Sequence, residues 1–130
     1  MSLDWYSDVK QFQKKFGFAA PSKPTPLSTN VAIARGKLLD EEVDELDMAM
    51  AVNDVVGIAD GIADIIYILL GTAVRCGIDM RPIWNEVHRS NMEKTVGDAG
   101  GDGRMVKPEG WYPPQIAKVL GVDATYDRIA

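Results

Sequence analysis

Apolar residues recur along this chain at three- and four-residue spacing, the period of a helix with one buried face. Trp5, Val9, Phe12 and Phe16 form the first such run and predict an amphipathic helix from Trp5 to Phe16. Gly17 stops it. The following PSKPTP, Pro21 to Pro26, reads as a stiff extended connector, because proline fixes φ and withholds an amide donor. Ser28, Thr29 and Asn30 are N-cap candidates for a second helix running to about Val52. Asn53 and Asp54 mark a short break before a third helix, Val55 to Arg75, which closes at Gly77. A fourth begins near Met80, with Pro82 in its first turn, and runs through Trp84, Val87, His88 and Asn91 to about Lys94. Glycine and proline dominate from Gly97 to Pro114, so a long loop is expected there, with Met105-Val106 the one stretch of extended character. A short last helix spans Gln115 to Leu120. Four or five helices without a sheet predict an all-α bundle, and 130 residues suit a single domain over 1–130, its core helices at about 28–95 and its loop at 97–114.

The third helix is apolar almost all round. Ile58, Ile62, Ile65 and Leu69 make one stripe, and Ala59, Ala63, Ile66 and Leu70 make a second beside it. Such a helix is expected to be buried in the bundle or in a subunit interface, which points to a homodimer or homotetramer. Asp60 and Asp64 interrupt it one turn apart, and a lipid-facing span would tolerate them poorly, so no membrane role is expected. The N-terminus lacks a charged segment followed by an apolar run, so no secretory signal is read there. The single Cys76 cannot form an internal disulfide, reads as a core filler, and fits a reducing, cytoplasmic setting. A net charge of -5 argues against a nucleic-acid-backbone binder.

Four acids sit where apolar residues are expected. Glu42 and Glu45 share one face of the second helix, in the stripe Leu38, Glu42, Glu45, Ala49, Val52; Asp60 and Asp64 share one face of the third. An unpaired buried carboxylate costs several kcal/mol, and two facing pairs repel unless a cation lies between them. These are hard oxygen ligands, suited to Mg²⁺ or Mn²⁺ and not to zinc without His or Cys. Glu41 points about 100° away from Glu42 yet lies one turn from Glu45, and is either a general base for water or a solvated acid. A di-iron bundle would need Glu-x-x-His, and the only histidine, His88, follows Asn85 at that spacing; His88 reads as a partly buried polar residue. Asp98, Asp102, Gly103 and Glu109 match part of a calcium-hand template, but Gly100, Pro108, Pro113 and Pro114 break it. The loop reads either as a lid bringing Arg104 or Lys107 to phosphates or as plain surface.

RGKLLDEEVDEL, then DGIADIIYILLGTAVRCGID, then VHRSNMEK resemble the all-α nucleoside triphosphate pyrophosphohydrolases, over roughly residues 5 to 121. That superfamily includes MazG-type enzymes, dimeric dUTPases and dCTPases, and phosphoribosyl-ATP pyrophosphohydrolases. The tail DGRMVKPEGWYPPQI is most similar to the MazG-like, dUTPase-type branch of Deinococcus. On that resemblance Glu42 and Glu45 match the first acid pair, with Glu41 the preceding acid, and Asp64 matches the closing aspartate. Asp60 departs from it, being shorter than the usual Glu and four residues from Asp64. Asn91 and Lys94 match a downstream Asn-x-x-Lys, with Lys94 on a phosphate and Asn91 on sugar or base. Arg35, about two turns before Glu42, is a further phosphate candidate, and Tyr67, one turn beyond Asp64, a candidate to pack on the base.

The resemblance implies Mg²⁺-dependent attack of water on the α-phosphorus of a nucleoside triphosphate, giving a monophosphate and pyrophosphate. A pyrimidine deoxynucleotide such as dUTP, in nucleotide-pool housekeeping, is the expected substrate. The alternatives are phosphoribosyl-ATP hydrolysis, or a non-enzymatic helical dimerisation module with a structural ion.

Overall fold

The computed structural model describes residues 3–97 and 104–123 and divides the chain into two compact units, Met1–Asp79 and Met80–Ala130. In the first, α1 (Trp5–Lys15), α2 (Thr29–Ala51) and α3 (Val55–Arg75) pack with α3 against both of the others. The second holds α4 (Met80–Met92), a two-stranded ribbon of β1 (Thr95–Val96) and β2 (Met105–Val106), and α5 (Ile116–Leu120). The fold is all-α, as the periodicity predicts, with the ribbon as its one addition.

Side-chain caps set the helix starts. Asp4 accepts the Ser7 amide at 3.0 Å, Ser28 the Val31 amide at 3.3 Å and Asp54 the Gly57 amide at 3.0 Å, each satisfying a donor that the first turn leaves open. Between α2 and α3, Asn53 takes a left-handed φ of 54°, a conformation asparagine tolerates better than most residues, so the chain reverses within the three residues Val52 to Asp54. At the end of α3, Gly77 has φ 64° and its Cα faces the Lys23 carbonyl, while Thr25 donates its amide to the Cys76 carbonyl at 2.8 Å. The proline-rich connector is thereby pinned against the end of α3.

The inward face of α1 differs from the expected stripe. Tyr6, Val9 and Gln13 are buried, whereas Trp5, Phe12 and Phe16 are exposed. The helix turns inward to deliver a polar residue: Gln13 Oε1 accepts from Arg75 Nε at 3.2 Å. The displaced rings pack along the surface, Phe12 tilted against Phe16 at 4.8 Å between centroids and edge-on to Tyr67 at 5.4 Å.

Nor does a single copy bury α3. By length and composition α3 could cross a bilayer, but it is also the central helix of the first unit and carries both aspartates. Two neighbours cover only part of its circumference. Val55, Ile62 and Leu69, spaced by seven, stay 74%, 46% and 49% exposed.

In the second unit α4 ends at Met92, short of the expected Lys94. The chain turns there, Lys94 donating its amide to the Asn91 carbonyl at 3.1 Å, and Thr95 and Val96 enter the ribbon. Thr95 pairs with Val106 and Val96 with Met105, antiparallel. The expected loop thus contains a strand, and its partner Thr95-Val96 lay in what read as a helix end; β-branched side chains favour the extended form once a partner is at hand. His88 is exposed, not partly buried. Among the calcium-hand positions, Asp98, Gly100, Asp102 and Gly103 lie outside the described residues, and Glu109 is exposed.

Candidate functional site

The acids meet because α2 and α3 approach closely beside them. A Cβ built on Gly61 would stand 3.2 Å from Leu46 Cβ, so the glycine lets the two backbones come together at this level. Glu45 precedes Leu46 and Asp60 precedes Gly61, which sets the glutamate pair of α2 alongside the aspartate pair of α3.

Glu42 records the result. Burial pushes its carboxyl above the usual carboxylate range, and the charges of Glu45, Asp64 and Asp60 push it further the same way. Its Oε2 is shut off from solvent with no hydrogen-bond partner among the described residues. A proton shared with Glu45 is one form of relief within the chain, and it too favours the neutral acid. Glu42 and Asp64 are half-buried, whereas Glu45, Asp60 and Glu41 are exposed. Glu41 is next to Glu42 in the chain, and the charges that raise Glu42 come from Glu45, Asp64 and Asp60.

Hard oxygen donors, mutual repulsion and one dehydrated, unpartnered oxygen together suit a hard divalent cation. As the side chains stand, no group of three or more acidic, His or Cys side chains among the described residues closes tightly enough to hold an ion. The quartet is an open one, with Glu45 and Asp60 exposed.

Arg35 is tied into the seam between α2 and α3. Its Nε donates to Thr72 Oγ1 at 2.6 Å and its Nη2 to the Ile68 carbonyl at 2.7 Å. Burial and the neighbouring Arg75 both lower its pKa. The same guanidinium fills the space beside Gly71, where a Cβ would stand 2.6 Å from Nη2. Tyr67 lines a groove of about 370 Å³ between α1 and α3, with Trp5, Asp8, Ala63 and Leu70. Cys76 is half-buried, and its thiol pKa is raised by burial, against the pull of Arg35.

The second unit carries the other predicted residues. Lys94 Nζ donates to Asn91 Oδ1 at 2.8 Å, so these two act on each other. Lys107 and Arg104 are exposed. The sequence reading missed Trp111. Its Nε1 donates to the Ser90 carbonyl at 2.7 Å, and both Lys94 and Lys107 lie over its ring. GWYPP read as loop composition, and nothing in its spacing announced a fixed indole. Gln13 was missed as well, since a single glutamine on an apolar face carries no periodic signal.

A family model described as phosphoribosyl-ATP pyrophosphohydrolase (PRA-PH) matches residues 9–91. The match spans α2 and α3 with all of the acids, and the chain belongs to this family. Membership supports pyrophosphohydrolase activity on a nucleotide. A comparison with curated proteins finds no match.

Proposed function

We propose that this member of the phosphoribosyl-ATP pyrophosphohydrolase family hydrolyses a nucleoside triphosphate to a monophosphate and pyrophosphate, using Mg²⁺ or, in its place, Mn²⁺. The observation that carries this reading is the unpartnered, desolvated Oε2 of Glu42 among the carboxylates of Glu45, Asp60 and Asp64. Glu42, Glu45, Asp60 and Asp64 would hold the cation. When bound, it would neutralise phosphate charge and make the attacking water more acidic.

The chain's own residues then have distinct tasks. Glu42 and Glu45, one turn apart, orient the water for attack on the α-phosphorus, and the exposed Glu41 beside them takes its proton. The bond from the α-phosphorus to the bridging oxygen breaks, and pyrophosphate leaves with that oxygen. Tyr67 and Trp5, on the walls of the groove between α1 and α3, offer flat surfaces for the base. Lys94 is proposed as a phosphate contact and Asn91 as a contact to sugar or base. The tie of Arg35 to Thr72 and Ile68 favours a positioning role for it, holding α3 against α2.

A pyrimidine deoxynucleotide such as dUTP, met in the cytoplasm, is the substrate proposed first. Phosphoribosyl-ATP is the second, favoured by the description of the matching family. A homodimer or homotetramer is proposed from the apolar stripe Val55, Ile62, Leu69. The decisive experiment incubates the protein with Mg²⁺ and a panel of deoxynucleoside and nucleoside triphosphates plus phosphoribosyl-ATP, scoring pyrophosphate against orthophosphate. Pyrophosphate from one pyrimidine deoxynucleotide supports the first substrate. Turnover of phosphoribosyl-ATP alone supports the second, and orthophosphate as the direct product, or no turnover at all, overturns the chemistry.

A further inference from the structure

The chain is acidic overall, with 19 Asp and Glu against 14 Lys and Arg, yet its first unit sets two guanidinium groups near each other with no carboxylate on either among the described residues. Arg35 is spent on the helix seam, and the ionisable groups that act on it are Arg75 and the Cys76 thiol. Arg75 donates its Nε to Gln13 Oε1 at 3.2 Å and stacks one face on the Phe18 ring at 4.5 Å. Gln13 is buried; its amide nitrogen and Arg35 Nη2 both crowd Gly71, at 3.0 Å and 2.6 Å from where a Cβ would stand. Gln13 thus holds Arg75 with its oxygen and meets Arg35 over Gly71 with its nitrogen. Among the described residues, Arg75 Nη1 and Nη2 donate to nothing. Neither is sealed off, because Glu42 Oε2 is the one unpartnered side-chain atom shut away from solvent among those residues.

Arg75 lines a cavity of about 520 Å³, a size that suits a small molecule, and is the one charged side chain on its walls. The walls are otherwise mostly apolar, with Ala20, Pro26, Leu27 and Val31, and carry the hydroxyls of Thr25 and Ser28. Thr25 gives its hydroxyl proton to the Lys23 carbonyl at 2.7 Å, whereas the Ser28 hydroxyl accepts the Val31 amide and donates to nothing among the described residues. The start of α2 and the end of α3 both border the cavity, so their opposite end charges offset and Arg75 sets its sign. The connector forming one wall is held in place by the Thr25 amide on the Cys76 carbonyl. With Nε spent and one face covered, the guanidinium offers its Nη edge, two parallel N–H bonds that match the two oxygens of a carboxylate. One uncompensated positive charge suits a monoanion, and apolar walls suit an apolar body.

We propose that this cavity binds a small organic monocarboxylate, its head on the Nη edge of Arg75 and its aliphatic or aromatic body against Pro26, Leu27 and Val31. The site is separate from the acid quartet. Val31 lies eleven residues before Glu42 on α2 and Arg75 eleven after Asp64 on α3, which is roughly 16 Å along either helix axis. Binding there goes beyond nucleotide hydrolysis and needs neither the quartet nor a cation.

The test titrates benzoate into the full, isotope-labelled chain in EDTA and follows amide and arginine Nε–H shifts by NMR. Saturable shifts are expected at the amides of Thr25, Ser28 and Val31 and at Arg75 Nε–H, with none at the amides of Glu42, Asp60 or Asp64. Benzamide, of the same shape but neutral, is expected to bind at least about tenfold more weakly, the effect of one charge-assisted pair. Acetate, which lacks the apolar body, is expected to bind more weakly than benzoate as well. Arg75→Lys keeps the charge and loses the two-pronged edge, and is expected to weaken benzoate about tenfold. Shifts that do not saturate, shifts centred on the groove between α1 and α3 or on the acids, or benzamide binding as well as benzoate, overturn the proposal. So does an unchanged benzoate affinity in Arg75→Lys. Should that variant fail to fold, the shift map of the parent chain and the benzamide comparison decide by themselves.

Discussion

The carboxyls of Glu42 and Glu45, one turn apart on α2, interact directly, and Glu42 Oε2 is shut off from solvent and without a hydrogen-bond partner among the described residues. In a metal-free protein that is a cost, because the ionised form of Glu42 loses water and gains like-charged neighbours. A cation would convert the cost into a set of ligand bonds. Several measurable consequences come from that relationship and from the packing around it.

Stability of the metal-free protein should depend on the protonation of Glu42. Its folded pKa lies above the unfolded value, so its contribution is fully present below the ordinary carboxylate range and is lost as pH rises through the folded value. Above that value the ionised side chain opposes folding. Glu42→Gln should therefore melt at a higher temperature than the parent in EDTA at neutral pH, with the gap closing on acidification. Mg²⁺ should raise the melting temperature of the parent and have much less effect on the variant. Thermal melts over that range with and without Mg²⁺ check both points; identical neutral-pH melts in EDTA would contradict the assignment.

Removing a proposed ligand should separate chemistry from folding. Glu45→Gln and Asp64→Asn should each lower pyrophosphate release by about 10²-fold or more while leaving the helical circular dichroism unchanged. Glu41→Gln should lower the rate and shift its pH profile without reducing Mg²⁺ affinity, as expected of a base that is not a ligand.

Two glycines should respond to alanine in opposite directions. At Gly71 the new Cβ would stand 2.6 Å from Arg35 Nη2 and 3.0 Å from Gln13 Nε2, disturbing the junction of all three helices of the first unit. A loss of about 1–3 kcal/mol is expected from overpacking. Gly36, within α2, has nothing within 4 Å of that position, and its alanine variant should gain up to about 1 kcal/mol in helix propensity. Denaturant unfolding of the two variants reads the difference.

The seven-residue stripe on α3 should govern assembly. Leu69→Glu, at a position 49% exposed in the single chain, should leave the three-helix packing intact and shift the mass in light scattering from an oligomer towards a monomer. A parent protein that is already monomeric at micromolar concentration would remove this role from the stripe.

Much of this architecture was legible along the chain. The Ser28 cap, the Asn53-Asp54 reversal and the stop at Gly77 are local devices, and all fall where their residue types predicted. The acids were legible because charge on an apolar helix face violates a periodic pattern. The rotation of α1 was not, since whether Val9 is joined inside by Phe12 or by Gln13 depends on Arg75, 62 residues away from Gln13. Of the ribbon, Met105-Val106 was legible as extended, but its partner Thr95-Val96 was missed for a similar reason: two residues of strand carry almost no periodicity, and pairing with Met105-Val106 decides them.

By itself, then, the sequence determined the helices, most of their ends, and the presence of four acids on the apolar faces of α2 and α3, because propensity, capping and period act over a few neighbouring residues. Only the tertiary structure decided what each side chain faces. It tied Arg35 to the helix seam, left one face of α3 open, and put two lysines on one indole. Those outcomes depend on distances between residues far apart in the chain, and they are settled only when the helices pack.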